Sequence, residues 1–451
     1  MRLFLFVLWA FSLNAAALQI IEKKITVNGK EATVLGIAQP DGTLGLTMRR
    51  GEIFDVDLTN TLNVPTSIHW HGLILPNNQD GVAFITQLPI YPALTYHYQF
   101  PLIQAGTYWM HSHYSLQEQR QLSAPLILKG YEDDNIADQE VVIFFSDFSF
   151  KSPQVIYDTL LKGKKMGDMS KPDIVEVDYD AFLANYATLE NPVVFTVGRN
   201  KKVRLRIING ASATNFHIDL GELKGAAIAV DGEYIKPIID SRFELAVAQR
   251  IDIVIVIPNE DGAFPILAQG EGTALQTGVI LKTDGAQIPK LASRMQDKAP
   301  PLTNLQERKL EALDPLPTKK ADRSLTVELG GDMENYTWTL NKQSWPNVTP
   351  LQVKRDERVE IIFKNNTTMS HPMHLHGHVF QVTSINGETF KGAKRDTVLV
   401  MPNSTLSIEF DADNPGVWPL HCHILYHLEA GMLTVLRYRD YVQQLPVLKK
   451  N

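Results

Sequence analysis

The residues best able to do chemistry lie together near the C-terminus, in His421-Cys422-His423-Ile424-Leu425-Tyr426-His427-Leu428-Glu429-Ala430-Gly431-Met432. This stretch holds the only cysteine of the chain. One thiolate, imidazoles and a thioether form the ligand set of an electron-transfer copper site, with two His and one Cys in a plane and a weak Met on the axis. The remaining imidazole has to come from elsewhere. On an extended segment neighbouring side chains point to opposite faces. Cys422 can then face one metal while His421 and His423 face another, so that two centres share a covalent bridge. A lone cysteine is otherwise most often a small buried apolar residue. That reading leaves three histidines and a methionine around it unexplained.

An internal duplication supplies further ligands. Shifted by 305 residues, Gly51–Gly72 lies over Asp356–Gly377 without a gap, so that Asn60 falls on Asn365, His69 on His374, His71 on His376 and Gly72 on Gly377. Shifted by 310, His111 falls on His421 and His113 on His423. One His-x-His pair alone could be two surface or hydrogen-bonded histidines. Four pairs at matching positions give eight imidazoles, a donor set suited to copper or zinc rather than to hard cations. Eight ligands suffice for three ions at three, three and two each. The copies differ where Thr66, Ser112, Gln117 and Leu122 are matched by His371, Cys422, His427 and Met432. These four replacements complete the electron-transfer set in the C-terminal copy only.

The elements that must position these residues read as strands. Ile53–Leu58, Val203–Ile208 and Arg358–Phe363 alternate or are β-branched, and Gly, Asn, Asp and Pro separate the short runs. The pattern predicts all-β sandwiches with a few short helices, among them Ser152 to Lys164 and Thr303 to Leu313. Residues 1–18 read as a secretory signal: Arg2, an apolar run from Leu3 to Leu13, then Asn14-Ala15-Ala16-Ala17. After its removal no membrane span is expected. About 430 residues remain, enough for about three domains. The expected boundaries are 19–134, 135–284 and 323–451, with a Pro- and charge-rich linker at 285–322. The middle domain, whose sole histidine is His217, is expected to bind no copper and to act as a spacer. A net charge of −7 argues against a nucleic-acid partner. A single cysteine excludes an intrachain disulfide, which for an exported chain suits a bacterial periplasm, with an extracellular location the alternative.

On these motifs the chain resembles the three-domain multicopper oxidases, the laccases and the bacterial periplasmic copper-resistance oxidases. The motifs read His69-Trp70-His71-Gly72, His111-Ser112-His113, His371-Pro372-Met373-His374-Leu375-His376-Gly377 and the opening stretch through Met432. The resemblance implies cupredoxin-like Greek-key sandwiches and four copper ions. The type 1 ion would take His371, Cys422, His427 and axial Met432. The type 2 ion would take His69 and His374. The type 3 pair would take His71, His111, His113, His376, His421 and His423. Electrons would enter one at a time at the type 1 ion and pass through Cys422 to a cluster that reduces dioxygen to water. Asp80 resembles the acid that serves that cluster with protons. Glu118 and Glu429 are weaker candidates, and Leu428 stands where many bacterial relatives carry a second acid. His97, His217 and His378 match no ligand position.

The electron donor stays open between phenols or aromatic amines and the metal ions Cu(I) or Fe(II). Cu(I) capture favours clustered thioethers, and the nearest such pair, Met166 and Met169, reads as a loop. The competing function is a copper-binding or copper-tolerance carrier without turnover. A nitrite reductase is disfavoured by the full set of four His motifs on one chain. The protein is expected to be a monomer.

Overall fold

A computed structural model describes residues 15–163 and 175–442. The chain folds into three successive two-sheet sandwiches. The first runs from strand Ala16–Val27 to Ser123–Lys129 in two four-stranded sheets. The second runs from Gln139–Phe148 to Gln276–Lys282 in sheets of six and five strands, and the third from Arg323–Asp332 to Leu433–Tyr438 in sheets of seven and five. Each opens the same way. Its first strand lies parallel to a later one: Ala16–Val27 to Ile53–Thr59, Gln139–Phe148 to Lys202–Asn209, and Arg323–Asp332 to Arg358–Asn365. This is the mixed Greek-key pairing of cupredoxin-like domains.

The alternation read in the sequence decides which faces are buried. Phe54, Val56 and Leu58 turn inward from one strand, and Val359, Ile361 and Phe363 from its counterpart. In Lys202–Asn209 the other face is buried too. There Arg204 and Arg206 lie against Asp133, Asp252 and Glu140, so charged pairs fasten the turn that leaves the first sandwich onto the second. Buried charges persist only when paired in this way.

The duplication seen in the sequence has a third copy. Asn60 donates through Nδ2 to the backbone oxygens of Val64 and Ile90, and its Oδ1 accepts from Leu62 N. Asn365 makes the same set with Met369, Val400 and Thr367. Asn209, in the second sandwich, makes it with Thr214, Leu245 and Ala211. Each asparagine closes the loop after a strand and satisfies backbone groups that would otherwise be buried without partners.

One expectation changes. The segment Thr303–Leu313 is not a regular helix; it holds one 3-10 turn, Glu307–Lys309. The chain is instead drawn out by backbone bonds from Lys236 to Glu311, from Leu313 to Tyr234 and from Ala312 to Gly392. The stretch 285–322 is correspondingly a packed strap, with Ala299, Leu302, Leu310 and Ala312 buried. Ala16, Ala17 and Leu18, within the expected leader, pair with Val56, Asp57 and Leu58, and Leu18 is buried. Residues 1–14 of that leader and the Met166–Met169 pair lie outside the described residues. The helix after Ser152 is present as Pro153–Leu160, with the Ser152 hydroxyl accepting from Val155 N. No helix among the described residues is long and apolar enough to cross a membrane.

Replacing Asn209 by Ala strands two buried carbonyls and removes three hydrogen bonds. The cost should be about 2 kcal/mol or more, read as a lower denaturation midpoint of the metal-free protein. An unchanged midpoint would mean that this loop closure does not contribute to stability.

Candidate metal centres

Two equivalent strand ladders carry the histidines. In the first sandwich Ile68–His71 pairs antiparallel with Gly106–Ser112, placing His69 opposite His111. In the third, His371–Leu375 pairs with Val417–Cys422, placing His374 opposite His421. The ladders meet where the two sandwiches touch. The His69 and His376 rings lie 3.9 Å apart, those of His71 and His374 3.8 Å, His111 and His423 4.9 Å, and His113 and His421 5.2 Å. All eight paired imidazoles thus belong to one cluster.

Where the far nitrogen of a ring is hydrogen-bonded, the near nitrogen faces the cluster. The Nδ1 protons of His69 and His374 go to the backbone oxygens of Asp80 and Asp396, each at 2.8 Å. His376 Nδ1 donates to Asp80 Oδ2 at 2.9 Å, and His71 Nε2 to Asp396 Oδ1 at 3.0 Å. Each aspartate therefore holds one histidine of its own sandwich and one of the other. His421 Nδ1 donates to the Cys422 oxygen, and His111 Nδ1 lies 2.8 Å from Glu118 Oε2. Six nitrogens facing inward have no hydrogen-bond partner: Nε2 of His69, His111, His113, His374 and His423, and Nδ1 of His71. The remaining two, on His376 and His421, face each other at 3.0 Å. Buried nitrogens without partners are costly, and metal ions of the borderline class would satisfy them.

A second group sits on the other face of Cys422. Its Sγ lies 3.6 Å from His371 Nδ1 and 3.6 Å from His427 Nδ1, and these two nitrogens are 3.3 Å apart. A point equidistant from all three lies about 2 Å from each, the length of a metal bond to nitrogen or sulfur. The far nitrogens are again engaged, His371 Nε2 with Thr367 Oγ1 and His427 Nε2 with Glu176 Oε2. Met432 is fully buried beside them, its backbone bonded to both Cys422 and His427. The Trp338 ring stacks on His427 at 3.9 Å. In the first sandwich the matching positions form no such site. Thr66 Oγ1 and Ser112 Oγ both donate to Gln117 Oε1, at 2.7 and 2.9 Å, over a buried Leu122. Hydroxyls and an amide close the same space with hydrogen bonds.

Sequence reasoning missed three neighbours of these rings. Asp396 lies 22 residues after His374 whereas Asp80 lies 11 after His69, so no gap-free shift aligns them. Glu176 and Arg250 come from the second sandwich and carry no motif. Glu118 is fully buried against His111, while Glu429 is exposed. His97 is a surface residue paired with Asp57, and His217 donates to the Pro300 oxygen. His378 is buried, its Nδ1 donating to the His376 oxygen and its Nε2 accepting from Tyr438.

Burial, with neighbouring histidines next, holds His71, His111, His113, His374, His376 and His423 well below the ordinary imidazole range. Burial likewise pushes His421 and His378 down to about 4. Burial raises the Cys422 thiol, so loading a metal there must release a proton. The unfolded chain binds protons at these histidines near pH 6.5, above the folded values. Stability is then full above that pH and is lost as pH falls toward about 4. The unfolding midpoint of the metal-free protein should fall steeply from pH 7 to pH 4 and stay flat from 7 to 8. A flat profile across the acid range would contradict neutral buried imidazoles.

Comparison with known proteins agrees with this geometry. Three family models, each described as multicopper oxidase, match residues 19–133, 139–286 and 319–441. The chain is 32% identical over 411 residues to "Multicopper oxidase MmcO" of Mycobacterium tuberculosis, covering 86% of this chain and 80% of that one. It is 26% identical to "Copper resistance protein A" of Escherichia coli, covering 94% of each. Its fold matches the crystal structure of Fet3p, a multicopper oxidase that functions in iron import, with a TM-score of 0.80 over 94% of this chain and 90% of that one at 24% identity. With its histidine cluster, its Cys422 site and matches across all three sandwiches, the chain belongs to the multicopper oxidases, copper-dependent oxidoreductases with dioxygen as acceptor.

Proposed function

We propose that the chain holds four copper ions and couples one-electron oxidation of a small donor to the reduction of dioxygen to water. The observation that carries this is Cys422. Its sulfur completes a triangle with His371 and His427, while its sequence neighbours His421 and His423 belong to the eight-histidine cluster. In this reading His371, Cys422, His427 and Met432 hold the type 1 ion, and His69 and His374 the type 2 ion. His71, His111, His113, His376, His421 and His423 hold the type 3 pair. When bound, copper supplies the one-electron steps and the reduction of dioxygen.

The protein supplies the wire, the proton and the donor's approach. The backbone from Cys422 to its two neighbours is a short covalent path between the sites. Asp80 is fully buried beside the cluster. Its Oδ2 accepts from His376, while its Oδ1 has no hydrogen-bond partner and stands 3.2 Å from a His69 nitrogen whose proton is already given to the Asp80 backbone oxygen. That oxygen is placed to hold a proton for the reaction. Glu176 accepts from His427 Nε2 and from the Tyr336 hydroxyl, and lines a cleft of 490 Å³ whose other charged residues are Asp178, Glu271, Arg294 and Lys298. A donor in that cleft reaches His427 through one carboxylate. With Arg294 and Lys298 beside the three acids, the charge of the cleft does not choose between a cationic donor and a phenol, while carboxylate oxygens suit Fe(II) better than Cu(I). The apolar N-terminal stretch supports export.

The test is dioxygen uptake by the copper-loaded protein with a phenol, Cu(I) and Fe(II) in parallel, beside a Cys422→Ser control. Uptake should occur, should vanish in the control and should be faster with Fe(II) than with Cu(I). Glu176→Ala should lower kcat/KM for Fe(II) by about tenfold, about 1.4 kcal/mol, and affect the phenol less. No uptake with any donor at full copper loading would leave a copper carrier instead.

A further inference from the structure

The eight clustered histidines are not presented alike. For His69, His111, His374, His376 and His421 the nitrogen held by the protein is Nδ1. His71 is reversed. Its Nε2 is held, by Asp396 Oδ1 at 3.0 Å and Thr397 Oγ1 at 3.1 Å, and its Nδ1 is the atom left facing the cluster. What turns this ring is therefore the placement of Asp396.

Asp396 is in turn held from the second sandwich. Arg250 grips it with both ends of its fork, Nη1 to Oδ1 at 2.8 Å and Nη2 to Oδ2 at 2.6 Å, and all these atoms are fully buried. A bidentate guanidinium–carboxylate pair fixes the plane of the carboxylate as well as its position. The guanidinium is itself fixed. Its Nε donates to the Thr107 oxygen of the first sandwich, its Nη1 also reaches the Ala248 oxygen, and it lies over the Tyr108 ring at 5.4 Å. The adjacent Gln249 donates to the Thr397 oxygen at 3.1 Å. One end of one strand, Arg250–Val256, thus holds both groups that hold His71.

The sequence of the first sandwich makes room for this pair. Gly72, next to His71, has φ +88°. A Cβ there would collide with Asp396 Oδ2, Arg250 Nη2 and the Tyr108 ring. Its counterpart Gly377 leaves room for the Trp418 ring instead. The duplicated glycine thus admits a charged pair on one side of the cluster and an indole on the other. Asp80, the counterpart of Asp396, has no arginine or lysine among its ion-pair contacts.

We infer that Arg250 is a positioning residue of the middle sandwich which, through Asp396, sets the ring nitrogen that His71 presents to the metal cluster. The inference rests on the multicopper reading and makes the middle sandwich a contributor to the cluster as well as a spacer. Without the fork the carboxylate keeps its place in the chain but loses its fixed plane. His71 can then rotate, and the ion it serves loses a ligand.

The test uses full-length Arg250→Met and Arg250→Lys, reconstituted with copper beside wild type. Copper content, the blue thiolate-to-copper absorption and electron paramagnetic resonance are read together. The site at Cys422 has no contact with Arg250 and serves as an internal folding control. Both variants should keep the blue absorption at wild-type intensity. Arg250→Met should bind less copper per chain and lose the spin coupling of the type 3 pair, whose copper then becomes visible by resonance. Arg250→Lys, which keeps the charge without the fork, should show the same loss in part. A fully coupled pair in both variants would overturn the inference. So would equal loss of the blue and the coupled signals in Arg250→Lys, since that is general misfolding. Wild-type protein with a blue site but no coupled pair would instead sink the multicopper reading, and this inference with it.

Discussion

The structure depends on one physical demand: eight imidazoles must stay buried and aimed at a common space with nothing of the protein to bond inside it. Six of the inward nitrogens lack any partner and the last two face each other. Such a group is unfavourable without metal, so the fold has to impose it. It does so by occupying the outward nitrogens. Asp80 and Asp396 each hold a histidine of their own sandwich with a backbone oxygen and a histidine of the other with a carboxylate. The reciprocal grip orients the rings and fastens the first sandwich to the third. The same contacts that create an interface therefore build the cluster.

The second site depends on the first through one residue. In the first sandwich Thr66, Ser112 and Gln117 close their space with hydrogen bonds. In the third, the matching His371, Cys422 and His427 leave a triangle of donors at metal-binding separation. Strand alternation then makes Cys422 belong to this triangle while His421 and His423 belong to the cluster. The two ladders otherwise keep the same register, His69 opposite His111 and His374 opposite His421.

The residues that approach the copper space were legible because the duplication fixes their spacing and each differs in type from its surroundings. The strands around them were legible from alternation, as in Phe54, Val56 and Leu58. The outer contacts were not. Asp396 is separated from its histidine by twice the interval of Asp80, and Arg250 and Glu176 lie more than a hundred residues from the rings they serve. No periodicity encodes such contacts, which exist only once three sandwiches have docked. Asn209 belongs to the same class: its role repeats that of Asn60 and Asn365, but the histidine motifs that made the other two visible are missing beside it. Thr303–Leu313 failed for the opposite reason. Its local composition suits a helix, and backbone bonds to Tyr234, Lys236 and Gly392 draw it straight instead.

In the proposed function Cys422 joins an electron-accepting site to a cluster that carries dioxygen fully to water. The most direct measurement is the ratio of donor electrons delivered to dioxygen consumed by the copper-loaded protein, with hydrogen peroxide assayed in the same vessel. Four electrons per dioxygen and no released peroxide are expected. Two electrons per dioxygen, with peroxide in equal amount, would show that the histidine cluster does not act as one unit and would contradict the proposed function.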